Sequence, residues 1–172
     1  LRVCVEVGVA EGKFSKQLCR VSRRMKVHGV DLWEGYQGYT DYSPEQMAAI
    51  YAKAKARLTR FRNFHFIRES SMEAVKRFKD ESLHFVYLDA NHSEPYITQD
   101  ITEWSKKLKP GSILAGHDYY QPRDRPGWCG VIEATKRYTE EHGIRPWFVL
   151  GARDEEPGPR RDAVRSWLWV KS

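Results

Sequence analysis

The chain has 172 residues, 41% hydrophobic and 13% aromatic, which suits one globular domain with a packed core and leaves little room for a second. No apolar run is long enough to cross a bilayer and the N-terminus is strand-like, not a charged-then-apolar signal, so the expectation is a soluble, cytoplasmic protein with no membrane partner. The formal charge of +6 admits an acidic partner, but the clusters SRRMK, KAKARLTRFR, KRFK and KKLK each interleave with apolar residues at helical spacing, which suits solvated helix faces better than nucleic-acid binding.

In chain order, short β-branched or aromatic runs alternate with helical patterns. Strands are expected at RVCVEV (2–7), KVHGVDL (26–32), FHFIR (64–68), LHFVYLD (83–89), SILAGHD (112–118), RPWFVL (145–150) and SWLWVK (166–171). Helices are expected near 12–23, 44–60, 70–79, 94–107 and 128–142. Right-handed crossovers turn such a βα repeat into a doubly wound, Rossmann-like α/β fold with a mostly parallel seven-stranded sheet. Only GARDEEPGPRRDA separates the last two strands, a poor crossover helix, so the sheet should end in an antiparallel hairpin.

The reading is a single domain over 1–172, and a start at Leu1, almost inside a strand, suggests that an N-terminal helix or lid is missing. Cys4, Cys19 and Cys129 are odd in number and far apart, which gives neither a disulfide framework nor a zinc spacing and fits a reducing compartment.

EVGVAEGKF stands where the first strand meets the first helix, at the carboxyl edge of the sheet, where backbone N–H groups face a ligand. Gly8 permits the sharp turn and Gly12 a close approach of helix or ligand, while Ala10 occupies the place of the second glycine of G-x-G-x-x-G. Asp31, at the tip of the second strand, is placed to accept the hydroxyls of a ribose, a group common to NAD and S-adenosylmethionine. Helix capping or a loop role is the competing reading for that aspartate.

VEVGVAEG, GVDLW, RESSMEA, VYLDANHSEPYITQDITEW and LKPGSILAGHDYY, in this order and spacing, resemble the class I S-adenosylmethionine-dependent methyltransferases. The likeness is greatest to a subgroup in which D-[GA]-x-H-x-x-x-x-[AVI]-x-x-D precedes K-P-G-G-x-[ILV]-x-x-H-D, and it runs from Val3 to the C-terminal hairpin. The resemblance implies that Glu6, Gly8 and Gly12 wall the methionine part of S-adenosylmethionine and that Asp31 holds its ribose. By the same resemblance Ser71 and Met72 flank the adenine, and Asp89 faces the methyl-transfer centre. Ser112 replaces the second glycine of K-P-G-G, a change expected to be harmless.

Asp89, Asn91 and His92 on one strand tip and His117 and Asp118 on the next should converge, since strands four and five are neighbours in this fold. Taken singly, each also fits a cap, a loop hydrogen bond or packing. Together Asp89, His117 and Asp118 are similar to the ligands of metal-dependent O-methyltransferases, which implies Mg2+ or another divalent cation that acidifies a substrate hydroxyl. The catechol-type pattern has an aspartate–asparagine pair at the fifth tip, so HDY departs from it. Without a metal, His92 or His117 would be the general base. Both mechanisms stay open, with the metal slightly favoured.

WEGYQGYTDYSPEQ (33–46) and YYQPRDRPGWCG (119–130) are expected to cover an acceptor pocket, with Arg123 and Arg125 available to a phosphate or carboxylate. The expected activity is methyl transfer to a hydroxyl of a small metabolite or sugar, and an oligomer is compatible with it. Two alternatives are weighed: an NAD-linked oxidoreductase on the same fold, and a non-catalytic, nucleic-acid-binding module built on the charge and the basic helix 53–62.

Overall fold

The computed structural model describes residues 2–35, 42–120, 129–151 and 164–172. Its strands are β1 (Val3–Val7), β2 (Lys26–Val30), β3 (Phe64–Ile67), β4 (Leu83–Leu88), β5 (Leu108–Gly116), β6 (Trp147–Leu150) and β7 (Ser166–Val170). Its helices are α1 (Lys13–Val21), α2 (Pro44–Leu58), α3 (Ser71–Ala74, continued by a 3-10 turn over Val75–Arg77), α4 (Tyr96–Lys107) and α5 (Val131–Glu141). They form one sheet in the order β3-β2-β1-β4-β5-β7-β6. Pairing is parallel from β3 through β5, and β7 is antiparallel to both neighbours. This is the α/β sheet with a terminal hairpin that the alternation of patterns requires. Its winding reverses between β1 and β4, so a crevice opens beyond their carboxyl ends.

The strands are apolar on both faces because helices cover both. Val5, Val7, Val86, Leu88, Leu114, Trp167 and Trp169 form one buried cluster with Ile101 and Trp104 of α4. Cys4, Val9, Cys19, Val27, Trp33, Ala54 and Leu58 form a second on the α1–α2 side. Tyr138 of α5 stacks on Trp169 with centroids 5.7 Å apart, and Phe14 of α1 meets Tyr87 at 4.3 Å across the sheet. Each buried tryptophan removes some 150–250 Å² from water, so these rings carry much of the burial energy.

Local sequence sets the helix ends. In SPEQ, the Ser43 hydroxyl accepts from Gln46 N while the Gln46 side chain accepts from Ser43 N at 2.7 Å, and Pro44 fills the first helical position of α2. The helix expected over 70–79 is shorter because Phe78 leaves helical geometry to pack against His28 at 5.3 Å and Trp104 at 5.5 Å. The fifth strand also differs from the expected 112–118. It starts at Leu108, which pairs with Leu83, and the register shifts before Phe85 pairs with Ile113. The Lys109–Gly111 stretch absorbs that shift, with Gly111 at φ +77 and its N–H donating to Lys171 O at 2.8 Å. Ser112 needs no glycine-like backbone, and its carbonyl accepts from Lys171 N at 2.8 Å.

Asn63 joins the two helices on one side. Its amide donates to the carbonyls of Cys19 (3.3 Å), Ser22 (3.2 Å) and Met25 (3.0 Å), closing the C-terminal end of α1 against the start of β3. Asn63→Ala removes the donors from carbonyls that water reaches poorly. Its expected cost is about 1–3 kcal/mol, read as a lower urea midpoint with an unchanged m-value.

Candidate active site

The turn after β1 is shaped by atoms from three strands. A Cβ at Gly8 would lie 1.9 Å from the carbonyl oxygen of Asp89, so no other residue fits, and its φ of +89 makes the same demand. Ala10, at the position of the missing glycine, also takes a left-handed backbone with φ +46. Asp31 sustains that shape: its Oδ2 accepts from Val9 N and Ala10 N, both at 2.9 Å, and its Oδ1 accepts from Trp33 N at 2.8 Å. The Trp33 indole donates to Ala10 O at 2.9 Å, and the ring is only 2% exposed. Trp33, read from sequence as the start of a pocket-covering loop, is a core residue that clamps the glycine turn. Gly12 caps α1 at φ +74, and a Cβ there would meet Leu58 Cδ1 at 2.4 Å, so this glycine serves the approach of α2.

Glu6 lies beneath the turn at 1% exposure, and Ser15 of α1 donates its hydroxyl to the carboxylate. Burial pushes its carboxyl up to about 8, and the negative charges of Asp89 and Asp31 act in the same direction against the Ser15 bond. Asp31 is also raised, by burial, although its three backbone N–H partners oppose the shift.

Ser71 and Met72 begin α3, as expected. The Ser71 hydroxyl, however, donates to Asp100 of α4 and accepts from Trp104 Nε1 at 2.8 Å. That side chain is engaged between two helices, so an adenine contact here would fall to the Ser71 backbone or to Met72. Asp100, the last acid of the quoted D-x-x-H pattern, is 4% exposed and raised to about 6 by burial.

Leu88 pairs with Gly116, so the next residues along, Asp89 and His117, emerge side by side. His117 Nδ1 lies 3.6 Å from Asp89 Oδ1 and 3.3 Å from Asp118 Oδ1, and His92 Nδ1 is 3.7 Å from Asp118 Oδ2. Asp118 sits at φ +57, a strained conformation worth about 1–2 kcal/mol for a side-chain-bearing residue. Tyr120 N (2.8 Å) and Cys129 Sγ (3.3 Å) donate to its carbonyl and hold it there. Asn91 is the loop former of the group, accepting from Ser93 N at 3.0 Å and Ser93 Oγ at 2.6 Å.

One ligand atom each from Asp89, His117 and Asp118 falls within 4.8 Å of the others, and all three residues are half-buried. Two carboxylate oxygens with one imidazole nitrogen fit a divalent cation, and the imidazole suits manganese, iron or zinc better than magnesium, which prefers an all-oxygen shell. Tyr119 is buried against Trp147, 5.8 Å between centroids, and so faces the core. Arg123 and Arg125 lie outside the described residues, as do residues 36–41 and 152–163. Among the described residues no helix is long and apolar enough to cross a membrane.

A glycine turn above a buried glutamate, an acid at the second strand tip and a polar cluster at the fourth and fifth tips, on a β3-β2-β1-β4-β5-β7-β6 sheet, define the class I S-adenosylmethionine-dependent methyltransferase fold. The chain belongs to the methyltransferase domain family, whose profile it matches over residues 5–119. It is similar in structure to an O-methyltransferase from Bacillus cereus in complex with SAH, with TM-score 0.67 and 16% identity, covering 99% of this chain and 74% of that one. It is likewise similar to an rRNA methylase from Streptococcus thermophilus (TM-score 0.64, 16% identity, 99% and 87% covered). A precorrin-6y C5,15-methyltransferase from Geobacter metallireducens also matches (TM-score 0.68, 14% identity, 100% and 82% covered). In sequence, 90 residues are 28% identical to protein y4gI of Sinorhizobium fredii (strain NBRC 101917 / NGR234), covering 52% of this chain and only 10% of that protein. Structures of one fold whose names give three kinds of methyl acceptor leave the acceptor to be argued from the site.

Glu6 makes the ligand-free fold sensitive to pH. Its carboxyl titrates near 4.5 when unfolded and about 8 when folded, so across that window the native state binds the extra proton. Stability should therefore fall as pH rises from about 5 to about 8. Glu6→Gln should flatten the pH dependence of the urea midpoint, and an undiminished slope in that variant would exclude Glu6 as its source.

Proposed function

We propose that the chain transfers the methyl group of S-adenosylmethionine to a hydroxyl of a small, sugar-like or acidic acceptor, assisted by a divalent cation at Asp89, His117 and Asp118. The observation that carries this reading is the gathering of those three ligand groups within 4.8 Å at the tips next to the glycine turn. Family membership supports the choice of cofactor.

In this reading the turn at Gly8 and the carboxylates of Glu6 and Asp31 bind the cofactor, Asp31 through its ribose. Asp89 lies between them and the acceptor, since its carbonyl packs on Gly8 while its carboxylate joins the ligand set. A cation bound there would lower the pKa of the acceptor hydroxyl. His92, beside Asp118 and outside the ligand set, takes the hydroxyl proton. Bound S-adenosylmethionine would supply the methyl group by displacement at its sulfonium, the C–S electron pair remaining on sulfur as the neutral thioether.

Thermal melting with S-adenosylhomocysteine, S-adenosylmethionine or NAD, each with and without Mn2+ or Mg2+, tests the reading. A ligand present at a hundredfold excess over its Kd stabilises the fold by about 2.7 kcal/mol. S-adenosylhomocysteine should raise the Tm, and Asp31→Ala should abolish the rise. A further rise with metal should be absent in Asp118→Ala. A response to NAD alone would replace this reading with an oxidoreductase.

A further inference from the structure

Charge is divided unevenly along the chain. Residues 12–30 and 46–68 hold twelve Lys and Arg and no Asp or Glu, which leaves seventeen Lys and Arg against all twenty-three Asp and Glu elsewhere. At the chain's average acid content these forty-two residues would carry about five or six acids, so the two segments are depleted of acid as well as rich in base.

The fold brings the segments together. They comprise α1 with β2 and, from Gln46 onward, α2 with β3, and the Asn63 amide pins the stretch carrying Arg60 and Arg62 to the one carrying Arg20, Arg23 and Arg24. At the end next to the glycine turn, Glu11 draws in Lys13, Lys53 and Arg57 at 3.5, 2.8 and 3.7 Å. Farther along, Lys16, Arg20, Arg23, Arg24, Arg60 and Arg62 meet no carboxylate among the described residues. The Lys16 ammonium is held below its usual range, first by Arg20, then by desolvation, and by Arg60 and Arg57, so cations of both helices lie close enough to repel. Gathering like charges costs the fold energy and returns none unless an anion spans them.

We infer that the α1–α2 face docks a single strand of nucleic acid through its phosphates. Seven of the twelve cations are arginines, whose forked guanidinium matches a phosphate. Arg60 lies over the Phe61 ring at 5.2 Å, and that ring packs against the α1–α2 core cluster, so the guanidinium is held beside the other cations as a plane on which a base can stack. A membrane surface fits less well: exposed Val21 is the one large apolar side chain standing out from α1, too little for insertion. The inference rests on the face itself and is independent of the methyl acceptor.

Fluorescence anisotropy with a labelled single-stranded RNA about 20 nucleotides long, from low to moderate KCl, reads the docking. Six engaged cations at about 0.7 per phosphate contact predict that log K falls against log salt with a slope of about −4. Reversing Lys16→Glu, Arg20→Glu and Arg60→Glu together should weaken binding by about tenfold or more. The set Lys79→Glu, Lys109→Glu and Lys136→Glu, with the same change in net charge on exposed positions elsewhere, should weaken it by less than about threefold. The neutral set Lys16→Gln, Arg20→Gln and Arg60→Gln should show a smaller loss in the same direction, and it decides the matter if the reversed set does not fold. Absence of RNA binding at the lowest salt, equal loss in both reversed sets, or binding to phosphatidylserine vesicles without binding to RNA would overturn the inference.

Discussion

The carboxylate of Asp31 accepts three backbone N–H groups, from Val9, Ala10 and Trp33, and the geometry of the cofactor edge depends on those bonds. A chain leaving β1 must turn sharply to enter α1, and the turn uses left-handed backbone at Gly8, Ala10 and Gly12. Ala10 has a Cβ and pays for that conformation; Asp31 binding its N–H and Trp33 binding its carbonyl offset the cost. With the turn fixed, Gly8 can lie against Asp89 and α1 can present Ser15 to Glu6. The tips of β1, β2 and β4 are thereby joined before any ligand arrives, which is the preorganisation that a binding edge requires.

The same edge concentrates carboxyl groups. Glu6, Asp31, Asp89 and Asp118 all come from strand interiors or strand tips around one crevice, and the first two are raised by burial. A site of raised carboxyl groups lowers its own free energy by taking up a cation, whether a metal, an ammonium or a sulfonium. The opposite distribution holds on the outer face of α1 and α2, where cations far outnumber acids. The molecule is therefore polarised between an acidic crevice and a basic flank, which a net charge of +6 alone does not convey.

Sequence reading recovered the element order, the terminal hairpin and the pairing of the two polar strand tips, because each rests on a strong periodic or spacing signal. Strand alternation reflects burial, and Asp89 and His117 each stand one residue past a strand end, so their juxtaposition follows from β4 and β5 being neighbours. What escaped was tertiary. Trp33 looks like the first residue of an aromatic loop, and only the position of Ala10 shows that its indole has a partner inside. Ser71 reads as a free hydroxyl beside a binding edge, whereas Asp100, twenty-nine positions away, claims it. The early start of β5 was hidden because Lys-Pro-Gly is a turn signal in isolation, and pairing with β4 and Lys171 overrides it.

Hydrogen-bond capacity limits how Asp31 can hold a ribose. An ionised carboxylate has about four acceptor sites. Two on Oδ2 are taken by Val9 and Ala10 and one on Oδ1 by Trp33, so about one remains. A single ribose hydroxyl can be accepted without disturbing the turn, while a second would have to displace a backbone N–H and leave it to find another acceptor. The Val9 and Ala10 bonds support the left-handed step of the turn, and the Trp33 bond supports a second left-handed residue at φ +48, so displacing any of the three would release a strained backbone position. A ribose held as proposed at the second strand tip would thus be coupled to the backbone at Val9, Ala10 and Trp33, a link between the glycine turn and the residue from which the chain leads towards α2.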